Sequence, residues 1–329
     1  MKGKPFGPVD GENSLFSPDE EVAAYRAMLL IRRFEEKAGQ LYALQAIHGV
    51  CPLSIGQEAS IVGMMMAARD TDPVITGYRT HGPLLARGVD PGRLMAELLG
   101  RKTGIAQGKG GTVRMFAPEE KLYGGHGRAG LGASIGAGLA FASRYRGDDA
   151  VTLCFFGDGA ASRGRVAEAY RLAARWSLPI VFVIDNNTAA PGASIALGQI
   201  PSALASSGSS SAIPGEQVDG IDVRSAFVAG RRAIARARQG GGPTILEMLT
   251  YRYRGHGGGP ARVGASERRI EDADPVSKAR SRILASAILS SDALKALEKE
   301  IKETVTAAAA AARAAPVPDP SDLFTFVEA

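Results

Sequence analysis

Two apolar runs joined by a helical segment constrain the fold more than any other feature of this sequence. The runs are AVTLCFF (150–156) and LPIVFVIDNN (178–187), and RVAEAYRLAARWS between them has apolar residues at helical spacing. A strand that is apolar along its whole length is covered on both faces, as in parallel sheets. The sequence therefore predicts an α/β fold, with a mostly parallel sheet and helices on both faces.

The rest of the chain divides by composition into three parts. Residues 1–20 are rich in glycine and proline and predict an extended arm, 21–280 form the main α/β domain, and 281–329 form a C-terminal helix and tail. Ser17 followed by Pro18 and three acidic residues predicts the N-cap of a long amphipathic helix. The Ser, Gly and Ala content of residues 191–216 predicts a surface loop.

Bulk properties exclude several classes of protein. The 329 residues are 45% hydrophobic, which is ordinary for a globular protein. The two cysteines, Cys51 and Cys154, form no CxxC pair, so a disulfide framework and a cysteine zinc site are not expected. With no apolar signal-peptide core or membrane-length run, we expect a cytoplasmic protein. The net charge of +5 comes from interleaved basic and acidic residues with only 6% aromatics, which disfavours nucleic-acid binding.

Polar residues follow both apolar strands at the point where each strand ends. Asp158 lies between Gly157 and Gly159 after the first, and Asn186 and Asn187 end the second. One right-handed β-α-β unit brings the two ends together at the sheet edge where α/β proteins bind ligands. Carboxylate and amide oxygens there suit Mg²⁺ or Ca²⁺, which would join Asp158 to a phosphate group. The alternative is structural, with Asp158 capping a helix and the asparagines forming a turn.

Two other phosphate-binding motifs do not match this sequence, and two of its four histidines are candidate functional residues. GIAQGKGG is one residue too short for a Walker A loop, and GRAGLGASIG does not follow a strand as a dinucleotide fingerprint requires. His81 and His256 lie in polar segments after predicted strands, beside Arg79 and Arg254, where functional residues gather. The other two histidines, His48 and His126, remain ambiguous.

A set of segments in a fixed order resembles one family. The segments are IRRFEEKAGQLYA, IGQEASIVG, GYRTHGPLLARG, GRKTGIAQGKGGTVRMF, YGGHGRAG, GDGAASRG, LPIVFVIDNN, VDGIDV, YRYRGHG and ADPV. They resemble the alpha subunit of the thiamine-diphosphate-dependent first component of 2-oxo acid dehydrogenase complexes, of pyruvate or acetoin dehydrogenase type. The resemblance runs from about residue 20 to 280 and implies the thiamine-diphosphate-binding fold.

The resemblance implies a metal and cofactor site. The side chains of Asp158 and Asn187 and the backbone carbonyl of Ala189 would bind Mg²⁺. The thiamine diphosphate itself would be held by residues from four segments, one of which is the segment that contains Asp158. Tyr78, Arg79 and the backbone at Gly159 and Ala160 would hold its diphosphate, Gly127 and Ala129 would line its rings, His256 would act near the reacting centre, and His81 would support the site as the second candidate catalytic histidine.

The resemblance also implies partners and a reaction. The chain would pair with a beta subunit in an α2β2 heterotetramer, decarboxylate or cleave a 2-oxo acid or acetoin, and pass the acyl group to a lipoyl domain. Two alternatives stay open: a carboligase or lyase that is not coupled to lipoamide, and a non-catalytic partner subunit. The family's substrate-side pattern is broken at Pro52, His126, Ala129, Ala189 and Gly257. We therefore expect a changed acyl donor or acceptor.

Overall fold

The computed structural model describes residues 16–187, 204–250 and 274–325. The predictions made for Ala189, His256 and Gly257 lie outside these residues. Ten helices and six strands are assigned within the described part. The helices are α1 (Pro18–Ala43), α2 (Glu58–Ala67), α3 (His81–Ala86), α4 (Pro91–Leu98), α5 (Leu131–Arg146), α6 (Asp158–Ala161), α7 (Gly164–Arg175), α8 (Val223–Arg236), α9 (Pro275–Ala285) and α10 (Ser291–Ala314). The strands are β1 (Val74–Thr76), β2 (Leu122–Gly125), β3 (Thr152–Gly157), β4 (Ile180–Asn186), β5 (Gly215–Asp219) and β6 (Thr244–Leu249).

The first helix begins where the sequence predicts. The Ser17 hydroxyl accepts a hydrogen bond from the Glu20 backbone N–H (3.2 Å), and the Ser17 N–H donates to the Glu20 carboxylate (2.7 Å). This reciprocal capping box satisfies two backbone donors that a helix start would otherwise leave unpaired. The buried face of α1 carries apolar side chains at helical spacing, among them Ala24, Met28, Ile31, Phe34, Ala38 and Leu41.

The described strands form one sheet in the order β2-β1-β3-β4-β6-β5, and every pair is parallel. The two apolar runs are neighbours, as predicted, and Gly157 at the end of β3 pairs with Asp185 of β4. The α/β prediction with a parallel sheet is therefore confirmed.

Alternate residues of each central strand enter two different cores. In β4, Val181 and Val183 join a core with α1, α2 and α8, whereas Phe182 and Ile184 join a second core with α5 and α7. Successive side chains of a strand point to opposite faces. The sheet is therefore covered by helices on both faces, which is why its strands are apolar throughout.

Residues 204–216 do not form the predicted surface loop. Leu204–Ser211 is a 3₁₀ helix, and β5 begins at Gly215. Leu204 and Ile213 are buried in the second core, and the Ala205 N–H donates to the Glu247 carboxylate (2.8 Å). A few apolar side chains buried against β6 outweigh the Ser- and Gly-rich composition on which the loop prediction depended.

No membrane-crossing helix occurs among the residues described in this structure, because none of the helices there is both long and apolar enough. Cys51 and Cys154 are buried free thiols, in agreement with the prediction that they form no disulfide.

The contact between α2 and α8 depends on Gly63. A Cβ at this position would lie 2.6 Å from the Ala226 Cβ and 2.7 Å from the Val223 carbonyl oxygen. Both neighbours belong to a packed helix and cannot move independently. We expect Gly63→Ala to lower the free energy of unfolding by about 1–3 kcal/mol, measured by urea denaturation.

Gly138 in α5 is the matched control for that substitution. It is exposed, and no atom of the described residues lies within 4 Å of the position that its Cβ would occupy. Alanine is the better helix former, so Gly138→Ala should leave stability unchanged or raise it by up to about 1 kcal/mol. An equal loss of stability in both variants would show that the α2–α8 contact is not specific.

Candidate functional site

The ends of β3 and β4 bring the predicted metal-binding side chains to one sheet edge. Asp158 follows Gly157 directly, Asn187 follows the last residue of β4, and the two side chains are each 8% exposed. Neighbouring strands lie about 4.8 Å apart, so the carboxylate and the amide belong to one buried polar site. Gly159 and Ala160 come next in α6, with their backbone at the same edge.

The capping alternative for Asp158 is wrong. The N-cap of α6 is Gly157, and Asp158 occupies the first helical position. The two asparagines also differ in their surroundings. The Asn186 amide donates to the Glu247 carboxylate (2.7 Å), which fixes that side chain to β6. Asn187 stands one residue further toward the ligand-binding edge.

A second carboxylate, Asp185, lies in the same site, and the sequence analysis did not single it out. It accepts a hydrogen bond from the Ser60 hydroxyl (2.7 Å). Burial raises the pKa of the Asp185 carboxyl to about 6, against the effect of the Ser60 hydrogen bond and Arg79, and the Asp158 carboxylate adds to the rise. In the sequence, Asp185 could have been identified as an acidic residue near the end of an apolar strand.

Arg79 supplies an unsatisfied positive group to this edge. One guanidinium nitrogen, Nη1, donates to the Leu53 carbonyl, and the guanidinium carbon lies 5.2 Å from the centre of the Tyr78 ring. The other terminal nitrogen, Nη2, is buried and has no hydrogen-bond partner among the residues that the structure describes. Leaving a buried N–H unpaired costs about 1–3 kcal/mol, more when it is charged. A phosphate oxygen would satisfy it.

His81 is not in a polar loop as predicted, because it is the first residue of α3 and is fully buried. Its Nδ1 lies 3.0 Å from the Glu35 carboxylate, and its Nε2 lies 3.2 Å from the Thr112 carbonyl oxygen. Burial alone would lower the pKa of His81, but Glu35 and the Thr112 carbonyl outweigh it, so the pKa is raised. With both ring nitrogens bonded inside the protein, the geometry favours the supporting role.

The raised pKa of His81 predicts how stability depends on pH. The protonated ring is stabilised in the folded state, so its contribution is complete below the unfolded pKa of about 6.5 and is lost as the pH rises through the folded value. We expect wild type to lose stability over this range relative to His81→Gln, which cannot titrate. Urea denaturation at successive pH values measures the difference, and a constant difference would contradict the prediction.

The loop after β2 carries the residues predicted to line the cofactor rings. Gly127 and Ala129 are exposed, and a Cβ at Gly130 would lie 3.3 Å from the Arg163 Cβ, which places this loop beside the start of α7. His126 is half-buried with its ring edge-on to Phe116 at 5.9 Å between centres. Burial lowers the pKa of His126, which favours a neutral ring, and its Nε2 is buried with no hydrogen-bond partner in the described part of the chain.

The glycine-rich loop between α4 and β2 is built around one buried carboxylate that the sequence analysis missed. Glu97 of α4 accepts four backbone N–H groups, from Ala106 (2.8 Å), Gly108 (2.9 Å), Gly110 (2.7 Å) and Gly111 (3.2 Å). The loop then delivers the Thr112 carbonyl to His81. A glutamate at the end of a helix just before a glycine cluster was the only local signal.

The fold and the site define an α/β chain with buried carboxylate, amide and guanidinium groups at the carboxyl edge of a parallel sheet. The model of the family described as "Dehydrogenase E1 component" matches residues 26–321. Three similar proteins indicate the same relationship. They are the pyruvate dehydrogenase E1 component subunit alpha of Rhizobium meliloti (47% identical over 94% of this chain and 90% of that one), that of Zymomonas mobilis (46%, over 93% and 88%), and the somatic mitochondrial form of Pan troglodytes (38%, over 94% and 80%).

The chain belongs to the dehydrogenase E1 component family. The resemblance found in the sequence is therefore confirmed. The chain is a subunit of a thiamine-diphosphate-dependent 2-oxo acid dehydrogenase component, of alpha type, and such a subunit acts with a beta partner. The relatives do not favour the carboligase alternative.

Proposed function

We propose that this chain binds thiamine diphosphate through Mg²⁺ at the edge formed by β3 and β4. Asp158, Asn187 and the backbone carbonyl of Ala189 would be the metal ligands. The observation that carries this proposal is the adjacency of Asp158 and Asn187, both buried, at the ends of two paired parallel strands. A carboxylate at this point would repel a diphosphate unless a cation lay between them.

The charges around the site support a cation and a diphosphate together. Asp158 and Asp185 are close enough for one to raise the pKa of the other, and a divalent cation would relieve this repulsion. Arg79 offers its unpaired Nη2 to a phosphate oxygen, and Tyr78 lies against its guanidinium. The backbone N–H groups at Gly159 and Ala160 would complete the diphosphate site.

The residues of this chain would hold and orient the cofactor, and His81 would keep the surrounding loops in place. When bound, thiamine diphosphate acts as the electron sink for the carbon that loses carboxylate. His256, which follows β6 in the sequence, stays a prediction for proton handling near the reacting centre. His81 contacts Glu35 of α1 and the Thr112 carbonyl of the glycine-rich loop. It would thereby fix the position of this loop relative to α1.

The assembly we propose is an α2β2 heterotetramer that passes its acyl group to a lipoyl domain. Gly127 and Ala129, which would line the cofactor rings, are exposed in this chain. That exposure suits a cofactor site closed by a second subunit. The substrate we propose is a pyruvate-like 2-oxo acid or acetoin, because relatives of this chain are named as pyruvate dehydrogenase subunits. The cytoplasmic location stays a prediction.

The departures from the family pattern support a changed acyl donor or acceptor. Pro52 is buried beside Leu53, whose carbonyl accepts from Arg79. A ring without an N–H donor therefore stands at one of the positions where the chain departs from the family's substrate-side pattern. His126 adds a second change, a neutral ring with an unpaired nitrogen beside Gly127.

The test is reconstitution with the beta subunit of the same organism, followed by a screen of 2-oxo acids and acyloins. We expect thiamine diphosphate to bind only in the presence of Mg²⁺, as measured by calorimetry. We further expect one substrate other than pyruvate to show the highest kcat/KM. Normal pyruvate decarboxylation with lipoyl transfer would contradict the changed specificity, and no cofactor binding by the assembled tetramer would contradict the proposed function itself.

A further inference from the structure

Asp185 presents its carboxylate on the α2 side of the sheet, close to the candidate metal site. Val181 and Val183 of β4 enter the core that contains α1, α2 and α8. Side chains two residues apart on a strand lie on the same face, so Asp185 faces the same way as these valines. The Ser60 hydroxyl of α2 donates a hydrogen bond to the Asp185 Oδ1 (2.7 Å), which agrees with that direction.

Ser60 is held in a fixed position by the packing of α2, and its side chain is fully buried. At the start of α2, the buried Glu58 carboxylate accepts hydrogen bonds from the Arg32 side chain (2.6 Å) and from the Gly56 N–H (2.8 Å). One turn after Ser60, Gly63 packs against α8 without room for a Cβ. A donor on such a rigid element restricts the orientation of its acceptor. Ser60 therefore orients the Asp185 carboxylate.

The second oxygen of the Asp185 carboxylate can accept a further hydrogen bond. Ser60 donates to Oδ1, and the residues that the structure describes supply no donor to Oδ2. An ionised carboxylate accepts hydrogen bonds at both oxygens. Asp185 is also only partly buried, whereas Ser60 is fully enclosed. A group bound at the sheet edge could therefore donate to Oδ2.

Asp185 lies behind the proposed metal ligands, further from the ligand-binding edge of the sheet. It pairs with Gly157 of β3, and Asp158 is the next residue toward that edge. Asn187 is two residues closer to the edge along β4, a step of about 7 Å at 3.3 Å per residue. This position suits a contact with the surroundings of a bound cation better than a contact with the cation itself.

The neighbouring charges connect Asp185 to the metal site. The Asp158 carboxylate raises the pKa of the Asp185 carboxyl and Arg79 lowers it, so both charges are close. Arg79 nevertheless does not use the second oxygen of Asp185. Its Nη1 donates to the Leu53 carbonyl, and no hydrogen bond joins Arg79 to Asp185, both of which the structure describes. The oriented carboxylate is therefore available to another donor.

We propose that Asp185, oriented by Ser60, is a positioning residue of the metal site that accepts a hydrogen bond from the water that a bound Mg²⁺ retains and is not itself a ligand. Mg²⁺ loses its water reluctantly and usually keeps several molecules of it in protein sites. Groups that orient the ligands of a metal from outside contribute about 10–100-fold to its affinity. The proposal rests on the proposed function, because it requires Mg²⁺ at Asp158 and Asn187.

The test measures the affinity of the assembled tetramer for Mg²⁺ by calorimetry, at a saturating concentration of thiamine diphosphate. In Asp185→Asn the amide oxygen can still accept from Ser60, so an amide N–H group replaces the second acceptor oxygen. We expect this variant to bind Mg²⁺ about tenfold more weakly than wild type. Ser60→Ala should cost about two- to tenfold, and the double variant should resemble Asp185→Asn alone, since Ser60 acts through Asp185.

A matched control and a rescue separate positioning from a loss of structure. Ser143→Ala removes another fully buried hydroxyl, one that has no hydrogen-bond partner among the described residues, and should leave the affinity for Mg²⁺ unchanged. Saturating Mg²⁺ should return both the cofactor affinity and the kcat of Asp185→Asn to the values of wild type. A variant with a damaged fold would not recover in this way.

Other results would overturn the proposal. Affinity for Mg²⁺ within twofold of wild type in Asp185→Asn would show that the carboxylate has no such role. A loss as large as that in Asp158→Ala would make Asp185 a ligand. Weaker cofactor binding at every Mg²⁺ concentration, with unchanged affinity for Mg²⁺, would mean that Asp185 acts on the diphosphate through Arg79.

Failure of the proposed function would be recognised separately, because wild type would then bind no thiamine diphosphate in the presence of Mg²⁺. Binding of Mn²⁺ to the cofactor-free tetramer, measured by electron paramagnetic resonance, would still test Asp185 in that case. Weaker binding of Mn²⁺ by Asp185→Asn would support the positioning role, and equal binding by the variant and wild type would contradict it.

Discussion

Replacing Asp158 by alanine is expected to weaken Mg²⁺-dependent binding of thiamine diphosphate by about 100-fold or more. The substitution removes the buried carboxylate that directly follows β3, which is the charged ligand of the cation under the proposed function. Loss of residues that merely orient metal ligands already costs about 10–100-fold in affinity, so loss of a ligand should reach the upper end of that range. Calorimetry on the tetramer, with and without Mg²⁺, measures the effect.

The fold should survive this substitution, which makes the result specific. The Asp158 carboxylate raises the pKa of its neighbour Asp185 and so contributes repulsion in the absence of a cation. We therefore expect Asp158→Ala to unfold in a single cooperative urea transition, as wild type does, when no cofactor is present. The control is Glu168→Gln, which alters an exposed acid ten residues away and should bind cofactor normally. Cofactor affinity within a few-fold of wild type in Asp158→Ala would rule out the metal assignment.

The part of the candidate site that the sequence predicts comes from elements that follow one another along the chain. The β3-α7-β4 unit can be predicted because its strands are apolar throughout and its helix has apolar residues at helical spacing. The right-handed connection between parallel strands then places the carboxyl ends of β3 and β4 side by side. Asp158 and Asn187 are found in this way because each directly follows a strand. The short helix α3 is missed because six residues are too few for a periodic signal.

The remaining site residues depend on contacts between distant segments, which no local pattern encodes. Glu35 of α1 meets His81 of α3, and Glu247 of β6 meets Asn186 of β4. Each pair is a buried polar contact that exists only after the sheet and its helices have assembled. In the sequence, these acids resemble ordinary residues of an amphipathic helix or a strand. Their function as internal partners therefore becomes visible only in the structure.

Glu97→Ala is the substitution for which we expect the largest loss of stability. It leaves four backbone N–H groups of the glycine-rich loop without the carboxylate that accepts them. Each unpaired buried donor costs about 1–3 kcal/mol, and partial access of water to the loop reduces the sum. We expect the free energy of unfolding to fall by about 3–5 kcal/mol in urea denaturation. Glu119→Ala, which changes an exposed glutamate near the same loop, should stay within about 0.5 kcal/mol of wild type.

The loop should also become accessible to proteases in Glu97→Ala. Its glycines have no side chains to pack, and the Glu97 carboxylate binds their backbone N–H groups. Lys109 lies exposed in this loop, with its ammonium group 2.6 Å from the Thr325 hydroxyl. Limited digestion with trypsin should cleave after Lys109 faster in the variant than in wild type. Glu97→Gln keeps one acceptor oxygen and introduces an amide N–H group that faces backbone donors. Its stability should therefore lie between that of wild type and that of Glu97→Ala. A loss below about 1 kcal/mol in Glu97→Ala, with unchanged cleavage, would mean that the loop keeps its shape without Glu97. The Thr112 carbonyl would then reach His81 without help from α4.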